Sequence, residues 1–302
     1  MGNVIVAAVA LIVVLIVVFR IVKGIRAKAP DFSKELPQRM GFRHQMMLEP
    51  LVDRLENALD DRYMESVKQR VLTNGSIREN EYDWYLLEMK RFFLMTAVLN
   101  YVPMYSDKLD DIWHEMIMFT REYETFCENF LGEMIHHEPN IQREADPEQR
   151  AWFEWCYSRL FDLNRETEAV YGEFFHHPLS KDRIADFRDK PDDDLIQKYF
   201  RMHIQIEAPR PVMLAVIRET QQQIKDSETE KLTPTFTRGE ENLGILALYM
   251  LYFSIFSADH DTYAANMNQV ADGHSFDGGG FGHHSSCGSN CGSSCGGRCG
   301  GA

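Results

Sequence analysis

The chain has 302 residues, a formal net charge of −14 and 44% hydrophobic residues, enough to bury a full core in one large domain. The acidic balance excludes nucleic acid as the main partner, because phosphate binding needs clustered Lys and Arg. The basic residues gather at the start, where residues 1–43 hold seven Lys/Arg against Asp31 and Glu35.

Val4 to Phe19 is uninterrupted apolar sequence, and Ile21-Val22 extend it past Arg20, whose long side chain can reach the headgroups. About twenty such residues span a bilayer core. Met1-Gly2-Asn3 carries no positive charge and the Lys/Arg residues follow the run, the reverse of a cleaved signal peptide. Residues 1–28 are therefore expected to be an uncleaved transmembrane anchor with a basic flank, and membrane lipids its partner. Arg20, Lys23, Arg26 and Lys28 would place the N-terminus outside and the main domain in the cytoplasm, a single-pass arrangement. Residues 29–43, with Pro30 and Pro37, read as a basic linker near anionic lipid or as a solvated spacer.

Residues 44–270 form the predicted domain. Met47, Leu51, Leu55, Leu59, Tyr63 and Val67 follow helical spacing, and Asn74-Gly75 ends that pattern with a left-handed turn. Asn80 to Tyr101 reads as an aromatic-rich helix that Pro103 stops. Ser106 and Asp107 open the next one, since a serine hydroxyl accepts from free backbone N–H groups and acids favour the positive helix end. Its stripe runs Leu109, Trp113, Met116, Thr120, Tyr123, Cys127, Phe130 and Met134, which predicts one continuous helix.

Tyr105-Ser106, Leu109 to Glu115, Phe119 to Tyr123, Phe126-Cys127 and Ile135 to Pro139, with the upstream Trp84-Tyr85 and Phe92-Phe93-Leu94, resemble the bacterial branch of the glycine-rich domain-containing proteins. The resemblance covers roughly residues 78–140, and the tail by composition. It implies a helical body with a glycine-rich end and carries over no mechanism.

Further helices are expected over Ala151 to Phe175, from Asp192, over Val212 to Lys225, and over Gly239 to Tyr263, with residues 179–193 a charged loop. The uncharged run Leu243 to Ala258 is short for a membrane span and reads as a buried core helix. The expected fold is all-α: a helical bundle of about six or seven helices, one transmembrane helix before it and a disordered Gly/Cys/His-rich tail after it. That tail, 271–302, carries Cys287, Cys291, Cys295 and Cys299 at a four-residue period, with His274, His283 and His284 nearby, too little apolar surface to fold alone.

Thiolates and imidazoles suit zinc or another soft transition metal, so Cys287, Cys291, Cys295, Cys299, His283 and His284 are the first candidate ligands. Their C-x3-C spacing is neither a zinc ribbon nor a ferredoxin pattern. His114, His136 and His137 are the secondary candidates. In one continuous helix His114 and His136 would stand about 33 Å apart, so a joint site requires the chain to break near Gly132 or a neighbouring helix to intervene. Cys127 and Cys156 lie on apolar faces and read as small buried hydrophobes. Two readings stand. In the first, the chain is a membrane-anchored, non-enzymatic binding or scaffold protein whose tail holds a soft metal or a protein partner. In the second, it is a metal-dependent enzyme or metallochaperone using the tail cysteines and the histidines of the body.

Overall fold

The structure is a computed structural model and describes residues 30–43, 45–137, 146–202, 206–207, 209–229 and 243–271. Among these residues there are twelve α-helices and no strand. The helices are α1 (Gln45–Ala58), α2 (Asp61–Asn74), α3 (Glu79–Val98), α4 (Asp107–Met118), α5 (Thr120–Leu131) and α6 (Pro147–Leu160), followed by α7 (Arg165–Tyr171), α8 (Lys181–Asp189), α9 (Asp192–Tyr199), α10 (Pro209–Glu228), α11 (Leu243–Phe256) and α12 (His260–Ala271).

The all-α class stands, and the expected six or seven helices become twelve because polar caps interrupt stripes that read as continuous. Asp60 accepts from the N–H groups of Arg62 and Tyr63 and starts α2 anew. Asn164 accepts from Thr167 and separates α7 from α6, and Asp259 accepts from Thr262 at the start of α12. An N-cap carboxylate or amide satisfies donors that a through-running helix would pair internally. Ser180 does the same for Arg183, so the stretch expected as a charged loop holds α8. Gly75, at φ 76°, ends α2 in the left-handed turn that its sequence predicts.

Two helices form the centre. α3 is buried on nearly every side from Tyr82 to Val98, and α6 is buried from Ala151 to Leu160. A helix buried around its circumference must pack against several others. α3 meets α1, α4, α7 and α10, while α6 meets α10 and α11. Phe92, Phe93, Trp113 and Phe126 join α3 to α4 and α5 through ring contacts at 4.9–5.9 Å. α11 is a core helix, with Ala247, Tyr249, Met250 and Phe253 fully buried.

A polar cluster lies inside this core. Arg91 and Glu88 on α3 have fully buried side chains and pair at 2.9 Å. Thr167 and Tyr157 donate to the two Glu88 oxygens at 2.9 and 2.5 Å. Arg91 Nε and Nη2 both donate to the carbonyl of Met40. That carbonyl belongs to a turn in which Arg39, Met40 and Gly41 have φ of 47°, 56° and 63°. Consecutive left-handed residues persist only where their surroundings fix them.

Residues 31–43 are thereby laid along the body. The Asp31 N–H and Lys34 Nζ reach Glu166 at 2.9 and 3.0 Å, Phe32 stacks on Tyr85, and Asp162 N–H donates to the Gly41 carbonyl. These contacts bear on the expected single-pass localisation, which is not supported. Among the described residues no helix is long and apolar enough to cross a membrane. The run Val4 to Phe19 lies outside the described residues. Three basic residues of the stretch read as a linker near lipid or a solvated spacer are engaged with the protein itself: Lys34 with Glu166, Arg39 with Glu49, and Arg43 with the Ser158 carbonyl.

Candidate metal centre

Ser106 caps α4, accepting from Leu109 N–H at 3.5 Å. Leu109, Ile112, Trp113 and Met116 turn into the core. At helical spacing this leaves Asp110 and His114, four residues apart, on one side of the outer face. Their side chains are 24% and 53% exposed. His114 Nδ1 lies 2.9 Å from the Asp110 carbonyl oxygen and 3.4 Å from Asp110 Oδ2.

The continuous helix expected beyond this point ends at Phe119, whose φ of −93° and ψ of 67° leave the helical region. Tyr63 on α2 donates its hydroxyl to the Met116 carbonyl at 2.8 Å, occupying an acceptor that a through-running helix would use for Thr120. α5 then runs to Gly132, which closes it at φ 75°. The chain returns along α4. Trp113 Nε1 donates to the Tyr123 hydroxyl at 2.8 Å, and that hydroxyl donates to the Ile135 carbonyl at 2.6 Å.

Two residues beyond Ile135, His137 arrives beside His114. The imidazoles lie 4.5 Å apart between centroids, and His137 stands edge-on to Trp113 at 4.6 Å and 90°. Its side chain is only 7% exposed, and its Nε2 is 2.5 Å from Asp110 Oδ1. Asp110, His114 and His137 thus each offer a donor atom within 4.8 Å of the others. Among the described residues they are the group with this geometry.

Of the secondary candidates, the fold brings His114 and His137 together and leaves His136 exposed outside the group. The breaks at Phe119 and Gly132 remove the distance that a single helix would impose. Asp110 was missed as a ligand, since as an acid in the first turn it reads as a helix-start residue. Its four-residue spacing to His114 was the available clue. Cys287, Cys291, Cys295, Cys299, His283 and His284 lie outside the described residues, as does His274. Cys127 and Cys156 are buried, and burial raises both thiols above the usual cysteine range, which disfavours the thiolate.

Two imidazoles and one carboxylate are a donor set for zinc and for non-haem iron, with positions left over for other ligands. The protein supplies an outer support of the kind that orients metal-bound histidines. Trp113 walls one side of His137, and the Tyr123–Ile135 bond holds the chain that carries it. Asp107, Asp111 and Glu115 add negative charge along α4 against the single Lys108, which favours a cation over an anion. Glu115 is itself bonded to Arg70 and Asn74. A cleft of about 810 Å³ between α9 and α10, lined by Met202, Met213, Leu214, Arg201 and Arg210, does not include these residues. Its arginines are paired, Arg201 with Glu133, Arg210 with Asp193 and Arg218, at 3.9 Å, with Asp192.

A family model described as UCP032817-like matches residues 53–160. This replaces the expected likeness to glycine-rich domain-containing proteins. No curated protein and no solved structure matches the chain. The matched stretch begins within α1 and ends with α6, so the part of the chain similar to this family contains Asp110, His114 and His137.

Proposed function

We propose that this chain is a metal-binding protein whose helical body holds one divalent transition-metal ion, of the zinc or iron(II) kind, between Asp110, His114 and His137. The observation that carries this is the convergence of three donors from α4 and the segment after α5 within 4.8 Å. Bound zinc holds imidazole nitrogens at about 2.0–2.1 Å and carboxylate oxygens at about 2.0–2.2 Å. The ion therefore replaces the His137–Asp110 hydrogen bond and draws both groups to itself. The binding role requires no membrane segment.

A second reading, a metal-dependent enzyme, is favoured by one feature. Three protein ligands leave a coordination position open, and His114 makes the site reachable from solvent. Catalytic zinc sites commonly keep three protein ligands and an open position for water or substrate.

Elemental analysis and zinc titration of the full chain under reducing conditions test the proposal. One tight equivalent is expected, with affinity reduced at least about tenfold in each of Asp110→Asn, His114→Ala and His137→Ala. His136→Ala serves as the neighbouring control and retains the parental affinity. Parental zinc affinity in the three variants overturns the assignment.

A further inference from the structure

The cleft of about 810 Å³ between α9 and α10 stands apart from the metal ligands, and its volume falls in the range of small-molecule sites, about 300–1,000 Å³. Its floor is apolar. Ile196 and Met213 are buried there, and Leu214 packs beside them. Met47 and Met202 stand at the rim, 43% and 51% exposed, two of the six large hydrophobic side chains so exposed among the described residues. Methionine is unbranched and moulds to apolar ligands of varied shape, and exposed apolar side chains gathered at one hollow mark a contact site.

The charged residues of the lining are not equivalent. Arg201 donates to Glu133 and to the Thr96 carbonyl, and Arg210 donates to Asp193. Glu219 lies in the field of Arg159, a guanidinium 4% exposed whose Nη2 is buried without a hydrogen-bond partner. Arg218 differs from the other two arginines. It approaches Asp192 at 3.9 Å, with side chains 70% and 36% exposed, which is beyond hydrogen-bond length. An ion pair this open contributes little, so its planar fork of N–H donors is available to an incoming anion.

We propose that this cleft binds a long-chain fatty acid, with its carboxylate on Arg218 and its hydrocarbon chain over Ile196, Met213 and Leu214. Leu214 and Arg218 are four residues apart on α10 and share one face. Arg218 lies about 13 Å along that helix from Pro209, so a chain anchored by its head has an apolar wall ahead of it. Glu207, the remaining acid of the lining, precedes α10 and stands at the opposite end from the head. The carboxylate exchanges the loose contact with Asp192 for a bidentate, charge-assisted one, while the hydrocarbon covers surface that water now meets. A neutral lipid would leave Arg218 unused, and a small hydrophilic anion would leave the floor bare. The site does not depend on the ion held by Asp110, His114 and His137.

The probe is cis-parinaric acid, whose fluorescence rises when its chain leaves water, with its methyl ester as the uncharged control. The full chain, free of detergent, is titrated beside Arg218→Gln, Arg218→Lys and Leu214→Trp, and urea midpoints establish that each variant is folded. One saturable equivalent of acid is expected in the parent, displaced by oleate. Affinity for the acid falls at least about tenfold in Arg218→Gln and is partly recovered in Arg218→Lys, which keeps the charge without the fork. The ester binds the parent and Arg218→Gln alike, and Leu214→Trp, whose indole fills the cleft, loses both ligands. Arg218 is exposed, so its variants keep the fold and decide the matter alone. Equal affinity for the acid in the parent and Arg218→Gln overturns the proposal, as does saturable binding that persists in a folded Leu214→Trp protein or is missing from the parent. Sedimentation with phosphatidylglycerol vesicles that Arg218→Gln abolishes, without binding of the acid, assigns the arginine to a lipid surface and also overturns it.

Discussion

Two polar clusters occupy this helical body, and they differ in what they leave unsatisfied. Around Glu88, a carboxylate and a guanidinium are fully buried, and hydroxyls from Tyr157 and Thr167 together with the Met40 carbonyl complete their bonds. Around Asp110, a carboxylate meets two imidazoles at the rim of the fold, and one ring is more than half exposed. The first cluster saturates itself with protein groups and fixes a strained turn. The second keeps lone pairs and solvent access. Saturation and access, more than the kinds of residue present, are what the metal-binding proposal rests on in choosing the rim cluster among the described residues.

Breaking the buried cluster has the larger effect on stability. Arg91→Ala strands Glu88 in the core and removes both donors to the Met40 carbonyl. A loss of about 3–5 kcal/mol is expected, the range for leaving one partner of a buried pair alone. Urea unfolding at neutral pH measures it. Gly41→Ala tests the same cluster from the other side. Gly41 sits at φ +63°, and a Cβ there would lie 2.7 Å from Arg91 Nη2. A loss of about 1–3 kcal/mol is expected. A Gly41→Ala protein as stable as the parent would show that the turn is not held by Arg91.

A smaller effect belongs to a third group of side chains. His177 lies 5.6 Å from His260 between ring centroids, and its Nδ1 is buried without a hydrogen-bond partner. Burial first, and then His260, His176 and Arg150, lower its pKa below the ordinary 6.5. The sign follows from linkage. Above pH 6.5 the ring is neutral in both folded and unfolded chains and contributes nothing. As pH falls below 6.5 the unfolded chain takes up the proton first, so stability drops until the folded ring also titrates, and it levels off there. Urea midpoints at pH 7.5 and 5 should differ less in His177→Asn than in the parent. An equal difference would remove His177 from the acid response. The change is expected to be modest because the ring is partly solvated. Least affected in stability is His114→Ala, an exposed substitution expected to stay within about 0.5 kcal/mol by urea unfolding.

How far the sequence announced this structure varies from element to element. Ser106 and Gly75 mark helix ends with local chemistry, and each end falls where that chemistry puts it, whereas α9 begins at Asp192 behind Pro191 with no side-chain cap bond, so the capping expected of its acidic run is not made. Asp60, Asn164 and Asp259 are caps like Ser106. They sit inside apolar stripes that continue on either side, so periodicity concealed them. The break at Phe119 has a tertiary cause, the Tyr63 hydroxyl on the Met116 carbonyl, and no residue at the break itself declares it.

The candidate site divides in the same way. Asp110 and His114 stand at a spacing that places two donors on one face, a local signal that Asp110's place in the first helical turn concealed. The arrival of His137 depends on Tyr123 bridging Trp113 and Ile135 across the returning chain, a contact between residues on two helices and an extended segment. Residues 29–43 were read as a linker near lipid or a solvated spacer, and the sequence does not announce the long-range partners of Lys34 and Arg43. Glu166, for one, lies more than a hundred residues from Lys34.

The most direct test of the ion's place is X-ray absorption at the zinc edge on the loaded full chain. The account predicts a first shell with two imidazole nitrogens at about 2.0–2.1 Å and a carboxylate oxygen at about 2.0–2.2 Å, and loss of the imidazole scattering in His114→Ala and His137→Ala. A shell of sulfur alone, unchanged by those substitutions, would contradict it.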